Sequence, residues 1–143
     1  MSKSVDRKKS AKGAARPCAE LRLRVDFGAF GAIGPGKIRL LELIGEQGSI
    51  ATAGRAMRMS YRRAWLLVES LNLAFREPVV ATQRGGKEGG GAALTAFGRD
   101  VVRRYREIES KASTAADGHL RAFGQALART PPAALAVPPK RRG

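Results

Sequence analysis

Two adjacent arginines between a tyrosine and a tryptophan are the residues with the clearest chemical potential. Residues 60–65 read S-Y-R-R-A-W, and an apolar run follows them. Arginine suits bidentate contact with guanine O6 and N7, and it also binds phosphate. A tyrosine hydroxyl hydrogen-bonds phosphate, and an aromatic ring packs against a sugar or a thymine methyl. The first candidate DNA contacts are therefore Tyr61, Arg62, Arg63 and Trp65.

An apolar stripe places these residues at the start of a predicted helix. The stripe residues recur at helical spacing, and they are Ala64, Leu67, Val68, Leu71, Ala74 and Phe75. A positive side chain in the first helical turn opposes the helix dipole and costs about 0.3 kcal/mol. A bound phosphate or guanine edge reverses that sign, so an arginine pair at this position favours DNA contact.

A shorter helix and a turn come before this helix, and together they predict a helix-turn-helix motif. Residues 50–57 form the short helix, whose small side chains let another helix approach closely. Ser49 is its expected N-cap, and Ser60 is the expected N-cap of the second helix. In this motif the N-terminal residues of the second helix meet base edges in the major groove. Ser49 and Ser60 therefore join the candidate DNA contacts.

The alternative interpretation of the motif is purely structural. The arginine pair would then be an exposed basic surface, and the two aromatic side chains would pack into the core. This alternative is strongest for Trp65, because it borders the apolar stripe at Ala64.

A glycine-rich segment after the second helix predicts a wing. Residues 79–83 are a short β-rich run, residues 84–91 read R-G-G-K-E-G-G-G, and residues 92–94 return as a second strand. A tip poor in side chains can lie close to a phosphate backbone or enter the minor groove. The rival interpretations are a nucleotide-binding loop, which lacks its G-K-[ST] and β-α-β context, and a merely flexible turn. The candidate contacts here are Arg84, Gly85, Gly86 and Lys87.

Two further elements are predicted before the motif. Residues 21–27 alternate apolar and polar side chains with period two, which predicts a half-buried strand. Residues 37–47 carry a wide apolar face, which predicts a helix that ends at Gly48. The residues expected to break the chain between them are Gly28, Gly31, Gly34, Pro35 and Gly36.

The region after the wing predicts a long C-terminal helix. Thr95 is its expected N-cap, and apolar residues recur at helical spacing to Ala112, then weakly beyond Ser113. A helix of this length exceeds what one small winged domain needs, so we expect its apolar face to pair with a second copy. The alternative is that it folds back on its own domain. The recurring residues are Phe97, Val101, Val102, Tyr105, Ile108, Ala112, Leu120, Phe123 and Leu127.

The charge of the chain points to its partner. Its 143 residues include 27 Lys+Arg against 12 Asp+Glu, a formal net charge of +15. The excess is spread along the chain rather than confined to one tail. This distribution favours double-stranded DNA over the alternatives of a generic basic surface or a ribosome-bound protein.

The composition also excludes several classes of function. Cys18 is the single cysteine and His119 the single histidine, so neither an intrachain disulfide nor a usual zinc site is expected. No apolar run is long enough to span a membrane, and no apolar region follows the basic N-terminus. We find no nucleophile–base pair or carboxylate pair, so we expect no catalytic residues, no metal, no cofactor and no enzyme activity. A cytoplasmic, nucleoid-associated location fits best.

The predicted fold class is mainly α with a small β-wing, a winged helix-turn-helix with a long C-terminal helix. Residues 1–20 read as a disordered basic arm, and residues 21–112 as the DNA-binding domain. Residues 113–130 read as a C-terminal helical extension, and residues 131–143 as a disordered tail rich in proline and basic residues.

The motif and the wing carry a family resemblance. GSIATAGRAMRMSYRRAWLLVESLN followed by GGKEGGGAALTAFG resembles the N-terminal DNA-binding domain of the molybdate-responsive ModE regulators, a relative of the LysR-type reading head. The resemblance covers about residues 21–112, and its most specific pieces are S-Y-R-R-A-W and the closing L-T-x-F-G. It implies a homodimeric transcription factor on a palindromic operator. The contacts it implies fall on Ser60, Tyr61, Arg62, Arg63, Trp65 and residues 84–91.

The chain departs from the family after the wing. Full-length members carry C-terminal oxyanion-binding domains that bind molybdate, whereas about 45 residues follow L-T-A-F-G here. These residues read as helical or proline-rich and leave no room for such domains. Direct molybdate sensing is therefore not expected, and no other small-molecule effector is indicated.

Two functional hypotheses follow. The first is a sequence-specific regulator that reads bases with the Arg62–Arg63 pair as a dimer. The second is an architectural protein that coats DNA with the same fold and basic tails. Specific binding exceeds binding to random sequence by about 10³ or more, whereas coating shows little preference and a steep salt dependence.

Overall fold

The structure, a computed structural model, describes residues 18–83 and 90–132. The wing-tip candidates Arg84, Gly85, Gly86 and Lys87 lie outside these ranges, as do most of the predicted basic arm and most of the predicted tail. Two compact units divide the described chain. The larger unit comprises residues 22–83 and 90–112, and the smaller comprises residues 18–21 and 113–132.

The architecture is mainly α with two small antiparallel strand pairs, which confirms the predicted fold class. The first pair joins Val25 to Ile33, and the second runs from Val80–Leu94 to Gln83–Gly91. The second pair is the base of the wing. In chain order the elements are β1 (Val25–Asp26), β2 (Ala32–Ile33), α1 (Pro35–Gln47), α2 (Ile50–Ala56), α3 (Tyr61–Ala74), β3 (Val80–Gln83), β4 (Gly91–Leu94), α4 (Ala96–Ala115) and α5 (Asp117–Ala126).

The first strand is shorter than predicted. Side chains of residues 21–27 do alternate between half-buried and exposed, but only β1 within them is paired. The hairpin closes at once, because Gly28 and Gly31 have φ angles of 65° and 110° and the Phe27 N–H donates to the Gly31 carbonyl at 2.7 Å. Further back, the Leu23 carbonyl accepts from the Tyr105 hydroxyl at 2.7 Å. The returning strand β2 was not predicted, since it is only two residues long and lies among glycines.

Helix α1 begins two residues earlier than predicted. Pro35 occupies its first turn, where the missing N–H has no intrahelical partner and the fixed φ suits the helix. The helix stops at Gly48, which has a left-handed φ of 70° as expected of a C-terminal glycine. Its buried side chains are Ile38, Leu40, Leu41, Leu43 and Ile44.

The helix-turn-helix consists of α2, a turn and α3, and its predicted caps are confirmed. The Ser49 hydroxyl accepts from the Thr52 N–H at 3.0 Å, and the Ser60 hydroxyl accepts from the Arg63 N–H at 3.1 Å. A Cβ on Gly54 would lie 2.9 Å from the Cβ of Ala64, so a glycine lets the two helices approach.

The apolar stripe of α3 faces the core as predicted. Ala64, Val68 and Leu71 are buried, and the other stripe residues are half-buried. Helix α4 adds Val101 and Tyr105 to the same core. The core thus holds the α1, α2, α3 and α4 elements of the larger unit together.

Thr95 ties the start of α4 to the wing. Its hydroxyl accepts from the Gly98 N–H at 2.8 Å, which confirms the predicted cap, and also donates to the Pro78 carbonyl at 2.7 Å. The Thr95 N–H donates to the Val79 carbonyl at 2.9 Å. A Cβ on Gly98 would lie 2.1 Å from that same carbonyl oxygen, so only glycine fits there. These contacts explain the threonine and the glycine of the L-T-x-F-G segment.

The C-terminal helical pattern forms two helices. Helix α4 has 20 residues, and a break at Ala116 separates it from the 10 residues of α5. Asp117 and Gly118 are weak helix formers in mid-helix, and a carboxylate in a first turn favours a new helix start. Within α5, Phe123 is 66% exposed.

Candidate nucleic-acid interface

The first turns of α3 present the candidate side chains to solvent. Ala64 and Val68 point inward, and Leu67 packs against the same core. Arg62 and Arg63 are exposed, Tyr61 is 56% exposed and Trp65 is 39% exposed. Neither aromatic belongs to the buried core, which contradicts the part of the structural interpretation that packs them inside. The exposed arginine pair is consistent with both interpretations.

An open cleft of about 530 Å³ lies between the helix-turn-helix and the wing. It brings together Ser49, Tyr61 and Trp65 from the predicted set. Sequence reasoning missed the residues that β3 contributes, Thr82 and Gln83; the exposed positions of a strand next to the predicted tip were the available signal. The remaining lining comes from Ile50, Ala51, Gly90, Gly91 and Ala92.

Arg62 and Arg63 do not line this cleft. With Ser60 they border a separate shallow depression on α3, which Leu66, Leu67 and Ser70 complete. The candidate residues therefore form two adjoining surfaces: an aromatic cleft towards the wing and an arginine surface on α3.

The helix-turn-helix keeps its positive charges unpaired. Residues 47–68 contain four arginines and no aspartate or glutamate. Within the part of the chain that the structure describes, Arg58, Arg62 and Arg63 make no ion pair, and Arg55 only donates a 3.5 Å hydrogen bond to Thr52. The motif therefore presents uncompensated positive charge.

The arginines of α4 contrast with those of the motif. Arg103 and Arg104 both pair with Asp100, the latter at 3.1 Å. Arg106 is held bidentately by Glu42 at 2.9 and 3.0 Å, and it also bonds Glu109 at 2.7 Å. These three arginines of α4 are thus paired with carboxylates of the protein itself.

Asn72 fixes the wing relative to α3. Its side-chain oxygen accepts from the Val79 and Val80 N–H groups at 2.7 and 3.1 Å, and its amide donates to the Val80 carbonyl at 3.2 Å. A half-buried asparagine near the end of α3 thereby sets where β3 begins. Sequence reasoning missed this positioning residue, although a polar side chain in an apolar helix just before a β-rich run is a usable signal.

Shifted pKa values occur among the ionisable groups of the scaffold. Hydrogen bonding from Arg106 lowers the pKa of Glu42 despite partial burial, and the Glu42 carboxylate in turn raises the pKa of Arg106. Burial raises the pKa of the Tyr105 hydroxyl. Glu42 and Arg106 join α1 to α4, and the Tyr105 hydroxyl joins α4 to the Leu23 carbonyl, so these groups are structural.

Other site types are not found in the described ranges. Residues 18–83 and 90–132 hold no group of three His, Cys, Asp or Glu side chains that could bind a metal ion. Their helices include none that is both long and apolar enough to cross a bilayer. Cys18 and His119 are both exposed.

Comparison with known proteins finds relatives that share part of this sequence. It is 38% identical over 104 residues to "Molybdenum transport protein ModE" of Azotobacter vinelandii, covering 73% of this chain and 38% of that protein. It is 35% identical over 81 residues to "DNA-binding transcriptional dual regulator ModE" of Escherichia coli strain K12, covering 54% of this chain and 31% of that protein. The chain is related to the ModE-type regulators. No protein-family profile matches it.

The ModE relationship concerns a part of each relative. "Molybdenum-pterin-binding protein MopB" of Rhodobacter capsulatus is 41% identical over 78 residues, which cover 54% of this chain and 29% of that protein. The chain thus spans about a third of the length of these three curated relatives, between 29% and 38%. The predicted ModE resemblance is confirmed, while transport, pterin binding and regulation are properties stated for those relatives.

Proposed function

We propose that the protein is a sequence-specific DNA-binding transcriptional regulator that binds a palindromic operator as a homodimer. The observation that carries this proposal is the helix-turn-helix surface with four arginines and no acidic residue, on which Arg58, Arg62 and Arg63 lack ion pairs among the described residues. A surface left with uncompensated positive charge suits a polyanion. The ModE relationship supports the same function, since relatives are named transcriptional regulators.

In this proposal, α3 enters the major groove and its N-terminal arginines meet the bases. Arg62 and Arg63 are exposed on the first turn, where the helix-turn-helix geometry directs side chains at base edges. Each well-formed bidentate contact to guanine supplies about 1–3 kcal/mol of discrimination. Ser60 lies at the same helix end, and its hydroxyl already caps the Arg63 N–H.

The DNA backbone is proposed to cross the cleft between α3 and the wing. Tyr61 and Trp65 offer a hydroxyl and an aromatic wall, and Ser49 also lines the cleft. Thr82 and Gln83 on β3 supply further hydrogen-bonding groups. Beyond them, the tip residues Arg84, Gly85, Gly86 and Lys87 are proposed to contact phosphates or the minor groove.

The homodimer is proposed to form through the C-terminal helices. Ile108 on α4 is 46% exposed, and Phe123 on α5 is 66% exposed. Leu127, just after α5, is 49% exposed. Burying such side chains stabilises an interface by about 25 cal/mol per Å² of apolar surface. The proposed domain boundaries remain those of the sequence, with a DNA-binding domain at 21–112 and an extension at 113–130, in a cytoplasmic protein.

An architectural DNA-coating protein is the second candidate function. The observation that favours it is the net charge of +15, which is spread along the chain. It would use the same fold, with Arg62 and Arg63 as phosphate clamps instead of base readers.

Recovery of genomic fragments on the purified protein separates the two functions. The experiment uses about 0.15 M salt, at which screening trims non-specific contacts, and sequences the bound fragments. A few sharp peaks that share a two-fold symmetric motif are expected of the regulator. A broad recovery without a motif would contradict it and establish the coating function.

A further inference from the structure

Arg58 has a backbone conformation that ordinarily calls for glycine. Its φ is 58°, and it is the only residue other than glycine with a positive φ in the ranges that the structure describes. The other positive φ values there belong to Gly28, Gly31, Gly48 and Gly90. A side chain in the left-handed region is disfavoured because its Cβ approaches the backbone.

The turn of the helix-turn-helix imposes this conformation. Arg58 lies between α2 and α3, and its N–H donates to the Arg55 carbonyl at 2.9 Å. The next N–H, that of Met59, donates to the Gly54 carbonyl at 3.0 Å. Every one of these bonds uses backbone atoms, so glycine at position 58 would make the same turn with less strain.

The arginine side chain does not stabilise the fold in return. It is exposed, and it makes neither a hydrogen bond nor an ion pair with any residue of the described ranges. An unfavourable residue type in a functional motif, without a partner inside the protein, points to a partner outside it.

Charge identifies that partner. Arg58 stands between Arg55 and Arg62 in the stretch of residues 47–68 that lacks acidic side chains. The turn leads directly into the first residues of α3, so a duplex that receives those residues brings its backbone to the turn. We propose that Arg58 is a phosphate contact of the helix-turn-helix, a DNA-binding residue that sequence reasoning did not select. This inference rests on the proposed DNA-binding function.

The test exploits opposite effects on folding and on binding. Arg58→Gly is expected to raise the thermal midpoint by a few degrees, because strain is relieved, yet to weaken DNA binding. Loss of one phosphate contact per protomer, two per dimer, lowers the salt slope of the association constant by about 1.8 and the affinity at 0.15 M salt by about 30-fold. Arg58→Asn tolerates the left-handed region without charge and is expected to bind like Arg58→Gly, whereas Arg58→Lys keeps most of the affinity.

Arg104→Gln is the matched control. It removes the same charge from α4, where Arg104 is 70% exposed and paired with Asp100. It is expected to leave the salt slope unchanged. The measurements are thermal unfolding, and titration of a labelled duplex at several salt concentrations.

Three outcomes would overturn the assignment. If Arg58→Gly is more stable and keeps the wild-type DNA affinity and salt slope, the arginine is not needed for DNA binding. An equal loss of affinity in Arg104→Gln would show that the effect of Arg58 comes from the net charge of the protein and not from a phosphate contact. Wild-type binding by Arg58→Asn would contradict it even if Arg58→Gly failed to fold. Arg62→Ala is titrated in parallel. If Arg62→Ala weakens DNA binding and the Arg58 variants do not, only the assignment of Arg58 fails. If the wild type does not bind DNA, the proposed function itself fails.

Discussion

At the scale of single residues, the protein uses the same side-chain types for two distinct purposes. Arg106 donates to two carboxylates within the fold, whereas Arg62 has no ion-pair partner in the described chain. The two tyrosines divide in the same way. Tyr105 is buried and donates to the Leu23 carbonyl, and Tyr61 is 56% exposed in the cleft. Among these arginines and tyrosines, those with partners inside the fold are scaffold residues, and those without one in the described chain are candidate contacts.

The two tyrosines provide a prediction at this scale. Tyr61→Phe should lower DNA affinity by about 5-fold, equivalent to roughly 1 kcal/mol, because it removes a hydroxyl proposed to bond phosphate. Its free energy of unfolding should stay unchanged. Tyr105→Phe should show the reverse: about 1–2 kcal/mol less stability, because the Leu23 carbonyl loses its donor, with affinity unchanged. Urea unfolding and duplex titration of both variants check this, and a swapped pattern would refute the roles.

The residue scale also shows how far the sequence predicts the candidate site. The exposed start of α3 was predictable because the apolar stripe determines which side chains face inward. Asn72, Thr82 and Gln83 were missed although the sequence held signals for them, because their roles depend on where the wing packs against the helix-turn-helix. Arg58 was missed for another reason: a turn pattern does not show which residue takes the left-handed conformation.

At the scale of elements, helix caps were the most predictable features. Ser49, Ser60 and Thr95 cap their helices, and Gly48 ends α1, because capping depends on local backbone chemistry. The extent of β1 was not predictable in this way. Period-two alternation reports burial, but pairing stops where the hairpin turn and the Tyr105 hydroxyl take over the backbone groups.

The junction of α4 with the wing gives a second prediction. Gly98→Ala should destabilise the protein by about 3 kcal/mol or more, because its Cβ would lie 2.1 Å from the Val79 carbonyl oxygen. Gly118→Ala is the control, since no atom lies within 4 Å of its added Cβ and alanine favours helix by up to about 1 kcal/mol. Chemical denaturation measures both. Equal stabilities would mean that the close approach of α4 to the wing is wrong.

The contact between α1 and α4 gives a third prediction, on pH. The pKa of Glu42 is lowered in the folded state by hydrogen bonding from Arg106, so its contribution to stability is complete above the unfolded pKa. That contribution is lost as the pH falls through the lower, folded value. Below about pH 4.5, the wild type should therefore lose more stability than Glu42→Gln. Glu77→Gln, at an exposed position, serves as control. The free energy of unfolding is measured from pH 6 to pH 3. An equal loss of stability in the wild type and Glu42→Gln over this range would contradict the prediction.

At the scale of the whole molecule, the exposed apolar side chains of the C-terminal helices bear on assembly. Phe123→Glu should raise the dimer dissociation constant by tenfold or more, because it puts a charge at a proposed apolar interface. Gln125→Glu makes the same charge change at another exposed position of α5 and should have little effect. Sedimentation across a concentration series measures both variants, and a wild type that stays monomeric would remove the dimer from the account.

Across the chain, the central claim is that the start of α3 reads bases instead of merely binding phosphates. The most direct test compares the wild type with Arg62→Ala on a recovered genomic duplex and on its shuffled sequence at about 0.15 M salt. The wild type should prefer the genomic duplex by about 10³ or more, and Arg62→Ala should lose roughly 1–3 kcal/mol of that preference with a smaller loss on shuffled DNA. Equal losses on the two duplexes would contradict base reading and make Arg62 a phosphate clamp.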